Sequence, residues 1–394
     1  MTARQITVLI ATSIGLSQPV GAQAAVQLPA LSGPHAVGTQ RFEWVDSSRA
    51  EIAGLSRRDS AGTPRSLPAA GARRLAVQVW YPVTRAVTSL PRAPYNPSGA
   101  AFSGIIRDTT RLQRYREMTG RAALGGTPIS GELFPLVVFS PGGSMFAADY
   151  TLLLEDLASH GYVVVAVAHP GTSLVAFADG SFGVESAWRP PPTISRSLEL
   201  DSLKMSWDFF RARDAYMAAD IRFAVRSLAD AHRSPVAGII DTSRIGFAGH
   251  STGGSVATTA AMTYDVRHEA VIVYDVILPG VLFDGPLVTP LMLFRTTAAN
   301  YPPGWAERLL SAFDGVRAAG FDVLIEGGTH QGFSDRAVLA ASDTSTRTSA
   351  LRQIQAAVAY SVTFFDLYLK GRSGSDISDS ARQSRYGVRV QRRR

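Results

Sequence analysis

The hexapeptide Gly249-His250-Ser251-Thr252-Gly253-Gly254 carries the G-x-S-x-G pattern that presents a serine as a nucleophile. It follows a strand-like run at residues 244–248 and opens a helix of small residues at 252–262. In that context the glycines serve a steric purpose. The serine must sit on a turn so tight that flanking side chains would collide, and its hydroxyl then projects above the sheet edge. The N–H of Thr252, at the helix N-terminus, points to where an oxyanion would form.

A serine hydroxyl is a weak nucleophile without a base, so a histidine is required. Of the seven histidines, two stand after strands with access to the same edge. His169 ends a strand-like run, and His330 lies in the glycine-rich loop Gly327-Gly328-Thr329-His330-Gln331-Gly332-Phe333 after the last one. Around such an elbow the partners follow in chain order serine, acid, histidine, and only His330 leaves room for an acid in between. Asp275 directly ends the run at residues 270–274 and is the acid expected to orient His330. Asp284 sits in a loop and Asp314 in a helical stretch, and the later run at 291–294 leads into Arg295-Thr296-Thr297 without a carboxylate. The second oxyanion donor is expected from Ser140-Pro141-Gly142-Gly143-Ser144, where glycine lets the backbone approach a substrate. The Gly143 N–H is the candidate. Together these groups imply acyl transfer: Ser251 attacks an ester carbonyl while His330 takes its proton. Gly143 and Thr252 hold the oxyanion, and water then releases the acyl group. No metal and no organic cofactor are implied.

The elements that would position these residues alternate. Runs at 136–139, 162–167, 244–248, 270–274, 291–294 and 321–325 are apolar and β-branched, as in strands buried on both faces. Helical stretches at 150–157, 203–228, 252–262, 307–318 and 351–368 separate most of them. Such alternation predicts a mostly parallel sheet covered by helices on both sides. An N-terminal extension over residues 27–68 shows one strand-like run, at 42–45, and a further run at 75–81 stops at Pro82. Residues 83–130 read as loop with a short polar helix near 111–118. Residues 179–202, with Pro190-Pro191-Pro192, interrupt the alternation and are expected to form a lid-like insertion.

The chain has 394 residues, 46% hydrophobic and 18% charged, which suits a globular protein with a sizeable core. There are no cysteines, which excludes disulfides, thiolate metal sites and a cysteine nucleophile. The net charge of +7 comes almost entirely from scattered arginines. No nucleic-acid partner is expected without a basic face, and peripheral contact with anionic lipid surfaces stays open. A basic tail at about 373–394 is expected to be solvated and flexible. Residues 1–24 read as a secretory signal peptide, with Arg4, an apolar stretch at 6–16 and Ala22-Gln23-Ala24. Residues 25–394 then form a single domain that is secreted or periplasmic.

The chain resembles the platelet-activating factor acetylhydrolase family, the plasma and intracellular type II enzymes with their bacterial relatives. The resemblance is carried by Gly33-Pro34-His35-Ala36-Val37-Gly38-Thr39, Val77-Gln78-Val79-Trp80-Tyr81-Pro82 and Phe139-Ser140-Pro141-Gly142-Gly143. It continues through Leu157-Ala158-Ser159-His160-Gly161-Tyr162, the elbow, Tyr274-Asp275 with Pro279, and His330-Gln331-Gly332-Phe333. It implies the α/β-hydrolase fold and the triad Ser251, Asp275 and His330, including the acid at this early position. It also implies Gly143 and Thr252 as oxyanion donors and a serine esterase for short or oxidised acyl chains, phospholipids included. The family usually has His-Gly where Pro141-Gly142 stands, and that change is shared with bacterial polyester and cutinase-like hydrolases. Those enzymes carry the acid after the later strand, which is empty here. A catalytically dead binding protein on the same fold is the remaining alternative.

Overall fold

The computed structural model describes residues 28–393 except 53, 69–70, 85–89, 96–101, 103–104, 107, 185–199, 265–267, 277–285, 298–306, 308–309, 311–315 and 374–375. The chain opens with β1 (Ala36–Ala50), β2 (Leu55–Arg58), β3 (Pro64–Ser66) and β4 (Ala72–Val83). Next come β5 (Arg92–Pro94), α1 (Thr109–Glu117), β6 (Thr119–Leu124), β7 (Phe134–Ser140), α2 (Thr151–Ser159) and β8 (Val163–Ala168). A hairpin of β9 (Val175–Ala176) and β10 (Phe182–Gly183) precedes α3 (Leu200–Ala229), β11 (Ile240–His250), α4 (Thr252–Thr263) and β12 (His268–Tyr274). The last part holds β13 (Leu291–Arg295), β14 (Gly320–Ile325), α5 (Asp335–Ala340), α6 (Thr344–Leu369), α7 (Ser380–Tyr386) and β15 (Val388–Arg392).

Eleven strands form one sheet in the order β15-β14-β13-β12-β11-β7-β8-β4-β1-β6-β5. The six strands from β14 to β8 are parallel, as the crossover helices require. Alternate residues of β7 enter opposite cores. Leu136 and Val138 join the cluster covered by α3 and α4, while Val137 and Phe139 join the one covered by α2 and α6. Burial on both faces explains the unbroken apolar runs read from the sequence. The chain passes from β7 to β8 on one side and later to β11 on the other. That reversal opens a crevice beyond the C-terminal ends of β7 and β11, where open α/β sheets bind ligands.

Several expectations change in detail. The N-terminal extension is stitched into the sheet: β1 runs 15 residues and pairs antiparallel with β4 from Ala36–Val83 to Ala50–Ala72. Residues 83–130 contain the predicted polar helix, and also β5 and β6, whose few polar-interrupted residues gave no alternation to read. Of the insertion at 179–202, Phe182–Gly183 pairs with β2 and residues 200–202 already begin α3; 185–199 lie outside the described residues. So do the signal peptide, Asp284, Asp314, Pro279 and most of the helix expected at 307–318.

The expectation of a flexible basic tail is corrected. Residues 380–386 form α7, Gly387 closes it at φ 64°, and β15 pairs antiparallel with β14. Val388 is buried, Arg389 pairs with Glu326, and Arg393 reaches Asp322. An arginine-rich edge strand is a usual way to keep a sheet from recruiting another chain, so the charge that suggested a tail suits an edge equally.

Candidate active site

The elbow is where sequence and backbone agree most tightly. β11 ends at His250, and Ser251 turns the chain into α4 with φ 54° and ψ −123°. The two outer glycines are required by contact. A Cβ on Gly249 would collide with the backbone of Gly253, and one on Gly253 would run into the carbonyl oxygens of Ser140 and Pro141. The turn is therefore wedged against the end of β7, with no room for a methyl. The Ser251 N–H bonds to the Tyr274 carbonyl at 2.9 Å, which places the serine beside Asp275 at the ends of neighbouring strands.

Among the described residues, only three non-glycines adopt positive φ: Ser144, Ser251 and Asp275, at 54°, 54° and 49°. They are the residue after the predicted oxyanion donor, the predicted nucleophile and the predicted acid. Left-handed backbone at an L-residue costs on the order of 1–3 kcal/mol, and such strain gathers at functional sites.

Asp275 is buried, and each of its oxygens is used. Oδ1 accepts from the Thr296 N–H at 2.9 Å, and the Thr296 hydroxyl lies 3.1 Å from both oxygens. Oδ2 meets His330 Nδ1 at 2.8 Å. Thr296 thus occupies the position after the later strand that the sequence shows to lack a carboxylate, and it anchors the acid instead. His330 keeps 25% of its side chain exposed against 1% for Asp275. With Nδ1–H given to Asp275, Nε2 faces outward with its lone pair. Neither Nε2 nor Ser251 Oγ has a hydrogen-bond partner among the described residues. The serine–histidine link is the one part of the predicted triad left unmade in this conformation; such bonds commonly tighten only with substrate.

The histidine loop is gripped from behind by α6. The Gln353 amide accepts from the Thr329 N–H at 3.0 Å and donates to the Thr329 carbonyl at 2.8 Å. Gly332 is needed there, since a Cβ would overlap the Gln353 side chain. Sequence reasoning missed Gln353 and Thr296, because a helix glutamine and a strand-end threonine have no distinguishing neighbours in the chain.

The predicted oxyanion loop follows β7 directly. Ser144 N–H bonds to the Thr172 carbonyl at 2.8 Å, and Arg336 donates to the Ser144 carbonyl at 2.5 Å. The Gly142 N–H donates to the Tyr150 hydroxyl, while the Gly143 N–H has no acceptor among the described residues. At the elbow the Gly254 N–H turns back to the Ser251 carbonyl. Thr252 opens α4, where the first backbone amides have no acceptor within the helix.

The competitor His169 has another use. Its Nδ1 lies 2.9 Å from Asp220 and its Nε2 2.8 Å from Ser140 Oγ, all three buried. Arg73 and Arg49 also bond Asp220. Burial raises the carboxyl, but Arg73 and the His169 bond outweigh it and hold Asp220 far below the usual range. Burial lowers His169. Ser140 is fully buried, so this serine–histidine–aspartate set braces the end of β7 from within.

The sequence matches the family described as "Alpha/beta hydrolase family" over residues 137–381, more than half of the chain. The chain belongs to the alpha/beta hydrolase family. Within it, residues 20–179 of this α/β-hydrolase match "Platelet-activating factor acetylhydrolase, isoform II", in line with the resemblance read from the motifs. It is 28% identical over 245 residues to platelet-activating factor acetylhydrolase of Bos taurus, covering 56% of this chain and 52% of the relative. A probable 1-alkyl-2-acetylglycerophosphocholine esterase of Arthroderma benhamiae is 26% identical, covering 68% of this chain and 63% of the relative. The chain therefore spans between half and two thirds of the length of these relatives. Among solved structures, a ferulic acid esterase from Streptomyces cinnamoneus superposes with a TM-score of 0.72 at 25% identity, covering 93% of this chain and 99% of the other.

Proposed function

We propose that this α/β-hydrolase is an exported serine esterase that cleaves carboxylic esters through an acyl-enzyme. The observation that carries the reading is the pair of buried Asp275 with half-buried His330 at 2.8 Å, one strand from a serine held at left-handed φ. Asp275 fixes the tautomer of His330, so that Nε2 takes the proton of Ser251 as the hydroxyl attacks. The amides of Gly143 and Thr252 take up the charge on the carbonyl oxygen, at the positive end of α4. His330 then returns the proton to the leaving alcohol and activates the water that frees the acyl group.

The proposed substrates are short or oxidised acyl esters, including glycerophospholipids with a short second chain, in keeping with the names of the bovine and fungal relatives. The solved ferulic acid esterase adds hydroxycinnamate esters as a second reading, because it covers nearly the whole chain. Thr296 at the later acid position favours neither polyester nor cutin hydrolysis. Export rests on the reading of residues 1–24 as a signal peptide. No helix among the described residues is long and apolar enough to cross a membrane.

The test is a hydrolysis panel of acetyl, butyryl and long-chain p-nitrophenyl esters, methyl ferulate, and a phospholipid with an acetyl second chain. Wild type is compared with Ser251→Ala. Activity on at least one ester, lost in the variant, is the expected result. Equal activity in both proteins would end the serine-esterase reading.

A further inference from the structure

The residue between the first elbow glycine and the nucleophile is not constrained by the motif, yet here it is engaged on both ring nitrogens. His250 is buried, and its Nε2 lies 2.9 Å from the His330 carbonyl. A carbonyl only accepts, so Nε2 carries the proton, and in the neutral ring Nδ1 then does not. Nδ1 must accept, and the Tyr150 hydroxyl, 2.8 Å away, must donate to it. With its proton so directed, the Tyr150 oxygen accepts from the Gly142 N–H at 3.1 Å. Each link thereby has a defined direction. Burial pulls the His250 pKa down to about 3, which keeps the ring neutral and the chain of bonds intact across the ordinary pH range.

These three bonds join two loops that nothing in the sequence connects. One end is the loop carrying Gly143; the other is the backbone of His330, and the path passes through the residue before Ser251. The fit is close. The His250 and His330 rings lie 4.6 Å apart, and a Cβ on Gly142 would come within 3.1 Å of both His250 Nδ1 and the Tyr150 oxygen. We propose that His250 and Tyr150 are positioning residues, a strap that sets the distance between the oxyanion loop and His330 so that both meet the same carbonyl. This rests on the serine-esterase reading.

The strap is cut at different links by Tyr150→Phe, which removes one oxygen and keeps the ring, and by His250→Asn, which can still accept from Tyr150 but falls short of the His330 carbonyl. For each variant, and for the double, kcat and KM on a short p-nitrophenyl ester are measured per active site titrated with a fluorophosphonate. Titration removes any loss due to unfolded protein. Misplacement by a fraction of an ångström to an ångström is expected to lower kcat about 10- to 100-fold, with KM within about threefold. The double variant should fall little below the worse single one, because both cut the same path. A kcat per titrated site equal to wild type in Tyr150→Phe, or losses that multiply in the double, would overturn the strap while Ser251→Ala remains inactive. Wild-type turnover by Ser251→Ala would instead overturn the esterase reading, and the strap with it.

Discussion

Replacing Asp275 by asparagine isolates what the acid does, because the surroundings dictate how the amide must sit. Thr296 presents two donors to this side chain: its N–H at 2.9 Å from Oδ1 and its hydroxyl at 3.1 Å from both oxygens. An asparagine satisfies them by keeping its carbonyl oxygen on the Oδ1 side. Its NH2 then takes the place of Oδ2 and donates to His330 Nδ1 across about the same 2.8 Å. The imidazole is thus forced into the tautomer with its proton on Nε2, facing Ser251, where it cannot accept. Most hydrogen bonds survive, so stability at neutral pH should change by less than about 1 kcal/mol. Catalysis should not survive. A wrong-tautomer histidine in a serine triad costs on the order of 10⁴ in kcat, or about 5 kcal/mol of transition-state stabilisation. Stopped-flow hydrolysis of p-nitrophenyl acetate together with thermal unfolding reads both quantities. An Asp275→Asn protein within about tenfold of wild-type kcat would refute the assignment of Asp275 as the acid. So would a double Asp275→Asn/His330→Ala protein whose loss is the product of the two singles, since parts of one device do not contribute independently.

Acid should destabilise the fold early. His250 and His169 are buried with pKa values lowered by burial, so below about 6.5 the unfolded chain gains protons that the folded chain refuses. For His250 stability then falls by about 1.4 kcal/mol per pH unit from about pH 6 toward pH 3, and His169 adds to the loss in the same direction. Urea titrations at pH 7 and pH 5 should show it, and an unchanged midpoint would contradict the neutral-histidine account. Gly253→Ala should lose about 3 kcal/mol or more by driving a methyl into the Ser140 and Pro141 carbonyls. Gly238→Ala, which meets open space, is the control and should shift the melting midpoint little. Gln353→Leu strips both bonds from Thr329 and should lower kcat about tenfold at nearly constant KM; a change confined to stability would show that the clamp does not set His330.

The parallel strands were legible because burial on both faces writes itself as long apolar runs, and the elbow because sterics admit only glycine around Ser251. Asp275 was singled out because it directly ends the strand beside the elbow strand, and the structure sets it 2.8 Å from His330 Nδ1. What positions these groups was not legible. Thr296, Gln353 and Tyr150 each act through one or two polar atoms brought in from distant elements, and no periodicity marks them. His169 was ambiguous for the same reason, since its partners Ser140 and Asp220 lie 29 and 51 residues away. The arginine-rich C-terminus was misread because net charge outweighed the short alternation of Val388 and Val390.

The central claim is that Ser251 carries the acyl group. Acid quench of the protein during turnover of p-nitrophenyl acetate, followed by peptide mass spectrometry, tests it directly. The account predicts an acetyl group on the peptide containing Ser251, accumulating before steady state and absent from Ser251→Ala. Acetylation of another residue, with Ser251 unmodified while turnover proceeds, would contradict it.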